Sequence, residues 1–197
     1  MTIIGITGPT GSGKTTLLRE VEALGGAAID CDAVYHELLE SDPTLRSDLE
    51  ERFGRLTRED GSIDRKKLGG VVFRDPAALA DLTAIAHRRV ALALGRRLYL
   101  AKEEGVQLAA IDAIALFESG VSDMCHVTLA VTAPPEVRVR RIMAREGISE
   151  DYARSRVRAQ KPDEYFSQHC DYTLINDCPS TEEFSQKARK FLKEVLP

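Results

Sequence analysis

The sequence predicts an α/β protein in which a five-stranded parallel sheet is flanked by helices. Short apolar runs alternate with longer helical patterns along most of the 197 residues, as they do when helices cross over between parallel strands. A glycine-rich loop lies directly between the first apolar run and the first helical pattern. The alternation is interrupted once, by about 60 residues with helical signals only, as expected of an insertion into such a fold.

Taken in order, Thr2–Thr7 is the first strand, and Lys14 to Leu24 is a helix with Leu17, Leu18, Val21 and Leu24 at helical spacing. Gly25-Gly26 ends it, and Ala27–Asp30 is a second short strand. Asp32–Glu40 is a helix with Val34, Leu38 and Leu39 inward, closed by Ser41-Asp42-Pro43. Asp42-Pro43 and Asp75-Pro76 each open a helix, and the second leads the long pattern Leu79, Leu82, Ile85, Val90, Leu94 and Leu98, which runs to Gly105. Strands resume at Val106–Ile111 and Val127–Val131. Pro134-Pro135 begins a helix through Arg145, and Ser149 caps another to about Gln160. Tyr172–Ile175 is the last strand, and Ser180 with Glu183 forms a capping box for a final helix ending near Leu196. The expected organisation is a core of 1–43 and 106–197, with a lid at about 138–165, and a helical insertion of 44–105.

Composition bounds the function. With 43% hydrophobic and 29% charged residues the chain reads as an ordinary globular protein, and it contains no apolar run of the roughly 20 residues that a membrane span needs. The first residues read as a strand and not as a secretion signal, so the expected location is the cytoplasm. A net charge of −4 argues against nucleic acid or an anionic membrane as partner. Cys31, Cys125, Cys170 and Cys178 are far apart, with neither zinc-ligand nor disulfide-framework spacing. Without a long heptad seam or a large apolar helix face, a monomer or weak homo-oligomer is expected.

Gly8-Pro9-Thr10-Gly11-Ser12-Gly13-Lys14-Thr15 fits the P-loop pattern G-x-x-x-x-G-K-[ST]. Backbone N–H groups can wrap a polyphosphate only where side chains do not obstruct the turns, hence Gly8, Gly11 and Gly13. Ser12, Thr15 and Thr16 belong to the same cradle, with the helix amides turned toward the anion. Lys14 can reach the β- and γ-phosphates of ATP, and the Thr15 hydroxyl can ligate Mg²⁺. A glycine turn without a ligand would rarely sit between an apolar strand and an amphipathic helix.

Asn176 is followed by Asp177, so the N-K-x-D signature of switch GTPases is missing. A small-metabolite kinase needs a carboxylate beside the acceptor hydroxyl. Asp32 follows the second strand, at the sheet edge that lines the ligand crevice of open α/β folds, although a helix N-cap there would also favour aspartate. Residues 138 to 161 hold eight basic side chains against three acidic ones. Arg141 and Arg145, four apart, share a helix face and can point at one phosphoryl group, whereas Arg154 and Arg156 are expected to be solvated.

These segments resemble the dephospho-CoA kinase family over nearly the whole chain. The resemblance rests on Gly5–Thr16, Leu24–Asp32, Asp60–Gly69, Val71–Pro76, Leu116–Glu118, Arg140–Arg145 and Ala159-Gln160 in that order and spacing. It implies a P-loop kinase with a helical substrate-binding insertion and an arginine-bearing lid, which moves the γ-phosphate of ATP to the ribose 3′-hydroxyl of dephospho-CoA. It further implies Asp32 as base, Lys14 and Thr15 on phosphates and Mg²⁺, Arg141 on developing charge and Arg145 on nucleotide. Thr7, Asp32, His87, Phe117 and Glu118 would border the acceptor, and Asp112 would stand behind Mg²⁺. The chain departs from the family at Arg88, which follows His87 where proline is usual, at Asp112-Ala113-Ile114-Ala115, which lacks a proline and a leucine, and at Arg138, which replaces a glutamine. Another small-molecule kinase, of nucleoside monophosphate or shikimate type, and a catalytically silent nucleotide-binding module are the alternatives. The first lacks its D-G-F-P-R or G-G-G stretch here, and the second conflicts with the retention of Lys14, Thr15, Asp32 and Arg141.

Overall fold

The computed structural model describes residues 1–195. Five strands, β1 (Thr2–Thr7), β2 (Ala27–Asp30), β3 (Leu108–Asp112), β4 (Val127–Thr132) and β5 (Tyr172–Ile175), form one parallel sheet in the order β2-β3-β1-β4-β5. β1 is central, with Ile4 opposite Ala110 of β3 and Val127 of β4, while Leu129 of β4 faces Tyr172 of β5. The helices are α1 (Lys14–Ala23), α2 (Cys31–Ser41), α3 (Pro43–Phe53), α4 (Arg65–Val72), α5 (Pro76–Glu103), α6 (Pro135–Glu146), α7 (Glu150–Arg158), α8 (Asp163–His169) and α9 (Thr181–Val195).

Two compact units follow the chain. One holds Met1–Ile29 and the chain from Ala101 onward, the other Asp30–Leu100. In the first, Ile4 and Ile6 of β1 face one way and join Leu129, Val131, Leu17, Val21, Phe184 and Leu192 in a core between the sheet and α1 and α9. On the opposite face of β1, Gly5 lies so close to Leu116 and Cys125 that an added Cβ would meet Cys125 Sγ at 2.8 Å. This is the period-two alternation of a strand buried on both faces. A smaller cluster, Val139, Ile142 and Ala153, clamps α6 to α7.

The second unit has its own core of Leu39, Leu45, Leu49, Leu56, Ile63, Leu68, Val72 and Ala78. Because Leu39 of α2 belongs to this core, the helical unit begins at Asp30, earlier than the Thr44 suggested by the loss of strand signals. α5 runs unbroken for 28 residues. Arg88 permits this, since a proline there would remove a backbone donor. Arg88 and Arg89 both reach Asp48 at 2.8 Å, and together they hold its carboxyl below the usual carboxylate range.

Several boundaries differ from the periodicity. β3 starts at Leu108 and not Val106, because the Val106 N–H bonds back to Ala101 O (3.0 Å) to finish α5, with Gly105 at φ +81°. α8 had no sequence signal, being seven residues long with Phe166 as its buried side chain. The Ser180 cap is present, its Oγ accepting the Glu183 N–H at 3.2 Å, while the expected end near Leu196 lies outside the described residues.

Candidate active site

The loop after β1 has the strain that its glycines allow. Gly8, Gly11 and Gly13 have φ of 139°, 83° and 111°. A Cβ on Gly8 would stand 2.0 Å from the Val131 carbonyl oxygen, so the loop can pass over β4 only without a side chain. The Lys14 ammonium donates to Gly8 O at 2.9 Å, which closes the loop and leaves its other protons for a ligand. The Ser12 hydroxyl is fully buried and has no hydrogen-bond partner among the described residues. Thr15 is exposed at the start of α1 and Thr16 half-buried behind it, its N–H bonded to Gly13 O at 2.9 Å. A polyanion fits this cradle, where loop amides, a helix N-terminus, an ammonium and an orphaned hydroxyl converge. Among the described residues no cluster of three or more His, Cys, Asp or Glu could hold a metal ion. The exposed Thr15 hydroxyl beside the loop is a donor of the kind that suits a hard cation such as Mg²⁺, which takes one hydroxyl and keeps phosphate and water oxygens.

The arginine-rich segment divides differently from its sequence pattern. Arg141 reaches the loop, donating to Gly11 O (3.2 Å), Ser12 O (3.4 Å) and Asn176 Oδ1 (3.0 Å). Burial lowers its pKa from the ordinary value. Arg145, one turn later on the same face, is exposed and pairs with Glu146 at 2.5 Å, so the two guanidiniums do not meet at the loop in this structure. Arg154 and Arg156 are not simply solvated: Arg154 bridges Glu136 (2.7 Å) and Glu150 (2.8 Å), and Arg156 joins Arg145 on Glu146. Arg138 is 3% exposed and bonds Asp163 (2.9 Å) and Gln160 (3.2 Å).

The strand-end residues have their own roles. Thr7 is 1% exposed and its hydroxyl donates to Ile114 O at 3.2 Å. It thus supports the segment after β3 from behind and does not present a free hydroxyl. Phe117 packs against His169 (centroids 5.5 Å apart). Glu118 accepts from the Tyr165 hydroxyl at 2.9 Å and pairs with Lys161, whose ammonium lies 3.8 Å from the Tyr165 ring centre. Asp112 ends β3, next in register to Ile6 of β1.

In the helical unit, the capping role belongs to Asp30 and not Asp32. The Asp30 carboxylate accepts the N–H groups of Asp32 (2.8 Å) and Ala33 (3.2 Å). Asp32 therefore stands exposed in the first turn of α2, its carboxylate with no hydrogen-bond or ion-pair partner among the described residues. His87 is half-buried on α5, and burial pushes its pKa below the ordinary value, favouring the neutral ring.

Sequence reasoning did not assign a role at the loop to Gln160 or Asn176. Gln160 Oε1 accepts the Thr10 N–H at 3.0 Å, and Asn176 Nδ2 donates to Ser12 O at 2.7 Å. Gln160 carried only a weak signal, as part of the Ala159-Gln160 dipeptide.

The sequence model of the dephospho-CoA kinase family (CoaE) matches residues 2–182. The dephospho-CoA kinase of Corynebacterium diphtheriae is 36% identical over 177 residues, covering 89% of this chain and 88% of that protein. That of Geobacter sulfurreducens is 37% identical over 82% of this chain and 83% of its own. Among solved structures, TT1252 from Thermus thermophilus superposes with a TM-score of 0.75 at 33% identity, covering 100% of this chain and 98% of its own. A shikimate kinase from Acinetobacter baumannii, at TM-score 0.53 and 15% identity over 100% and 96% of the two chains, shares the fold alone. The chain belongs to the dephospho-CoA kinase family.

Proposed function

We propose that the dephospho-CoA kinase activity of this chain, transfer of the γ-phosphoryl group of ATP to the ribose 3′-hydroxyl of dephospho-CoA, divides among its residues as follows. The loop amides and Lys14 bind the phosphates, with Gly8, Gly11, Ser12, Gly13, Thr15 and Thr16 forming the cradle. Asp32 orients the 3′-hydroxyl and accepts its proton as the oxygen attacks the γ-phosphorus. The bond from that phosphorus to the β–γ bridging oxygen breaks, and ADP leaves. Arg141 stabilises charge on the transferring group. Thr15 would hold Mg²⁺, which, when bound, neutralises β- and γ-phosphoryl oxygens.

His87, Phe117 and Glu118 contribute to the acceptor site, with the helical unit as the substrate-binding part and Thr7 and Asp112 as supports. Arg145 exchanges Glu146 for nucleotide. The chain acts in the cytoplasm, as a monomer or weak homo-oligomer. Among the described residues no helix is long and apolar enough to cross a membrane.

The observation that carries this reading is the family match spanning residues 2–182, through both units, on a chain whose first loop is a phosphate cradle. The test is ADP release from ATP and Mg²⁺ with dephospho-CoA, AMP, adenosine or shikimate as acceptor, with product mass as readout. Turnover with dephospho-CoA alone, adding one phosphoryl group, is expected. Turnover with another acceptor would replace the substrate assignment.

A further inference from the structure

Asn176 follows β5 and is 2% exposed, with its main chain fixed by its N–H on Thr132 O at 2.7 Å. Its carboxamide touches both parts of the phosphoryl-transfer machinery. Nδ2 donates to Ser12 O (2.7 Å), and Oδ1 accepts from Arg141 (3.0 Å). The amide orientation is forced, since a carbonyl can only accept and a guanidinium can only donate. A serine or threonine hydroxyl has its donor and acceptor on one atom, whereas the carboxamide offers them on two. Gly13 also makes room for it, because a Cβ there would stand 2.3 Å from Asn176 Nδ2.

We propose that Asn176 is a positioning residue for phosphoryl transfer, setting the P-loop through Ser12 and aiming the Arg141 guanidinium. This rests on the reading of the loop and Arg141 given above. A buried asparagine that served packing alone would affect stability and leave the division between binding and turnover unchanged. As a positioning residue it affects each arm separately. Arg145, without such a partner, turns away to Glu146.

The test compares Asn176→Asp and Asn176→Leu, each with Arg141 and with Arg141→Gln, by steady-state kinetics in ATP and by thermal unfolding. Asn176→Asp keeps the shape and the acceptor for Arg141 but opposes a carboxylate to the Ser12 carbonyl. The Michaelis constant for ATP should rise about tenfold, with turnover within about threefold. Asn176→Leu removes both bonds, and turnover should fall about tenfold or more beside Arg141 but hardly further beside Arg141→Gln. An equal fall in both backgrounds, or a lowered unfolding temperature with unchanged kinetics, would overturn the proposal. If Asn176→Leu does not fold, an unchanged Michaelis constant in Asn176→Asp overturns it. Undiminished turnover in Arg141→Gln alone would remove the assigned role of Arg141, and this proposal with it.

Discussion

Gln160 accepts the backbone N–H of Thr10 at 3.0 Å, across 150 residues of chain, so the end of α7 is tied to the tip of the phosphate loop. The bond is backed by the buried Arg138 guanidinium, which donates to the same oxygen at 3.2 Å and is itself paired with Asp163 at 2.9 Å. Arg138 thus supplies a donor that fixes the Gln160 amide, and burial of its charge is offset by the Asp163 carboxylate.

Gln160→Ala frees the Thr10 amide. The Michaelis constant for ATP should rise about fivefold, with a smaller change in turnover, as read in steady-state kinetics with dephospho-CoA saturating. An unchanged value would mean that the loop holds its shape without this tie.

Asp32→Asn should cut turnover about 100-fold or more while nucleotide affinity, measured by equilibrium titration, stays nearly the same. Because Asp30 caps α2, the substitution should leave the unfolding temperature almost unmoved. Full activity in this variant would transfer the role of base to another group.

Gly8→Ala places a methyl group against the Val131 carbonyl at a φ of 139°. Neither backbone can yield cheaply, so a loss of about 3 kcal/mol is expected, lowering the melting temperature by about 6–12 °C. Calorimetry without nucleotide reads this directly.

Asp171 ties β4 to the turn before β5, accepting the N–H and hydroxyl of Thr128, both at 2.8 Å. The Thr128 N–H, then its hydroxyl, hold the carboxyl below the ordinary range. With the folded pKa below the unfolded one, its stabilisation is fully present above about pH 4 and fades as pH falls through the folded value. Asp171→Ala should therefore be less stable than the parent protein at pH 7, with the gap narrowing toward pH 2 in urea titrations. A gap independent of pH would remove the charge from the account.

How much of this was legible depended on the range of the interaction. β1, β2 and β5 were read to the residue, and α1 nearly so, because strand alternation, glycine stops and helical apolar spacing act within a few residues of chain. The phosphate loop was legible for the same reason: eight consecutive residues provide the conformational freedom, the ammonium and the hydroxyl. α8 was not, since seven residues with one buried anchor carry too little periodicity. Nor could sequence alone distinguish Arg141 from Arg145, four apart on one helix, or assign Asn176 and Gln160 to the loop. Those distinctions rest on hydrogen bonds spanning 130, 164 and 150 residues, which exist only once the sheet has brought its strand ends together. The sequence by itself determined where a phosphate could be cradled. The tertiary structure decided which side chains hold that cradle in shape, because a carbonyl or guanidinium selects its partner by distance in space and not by position along the chain.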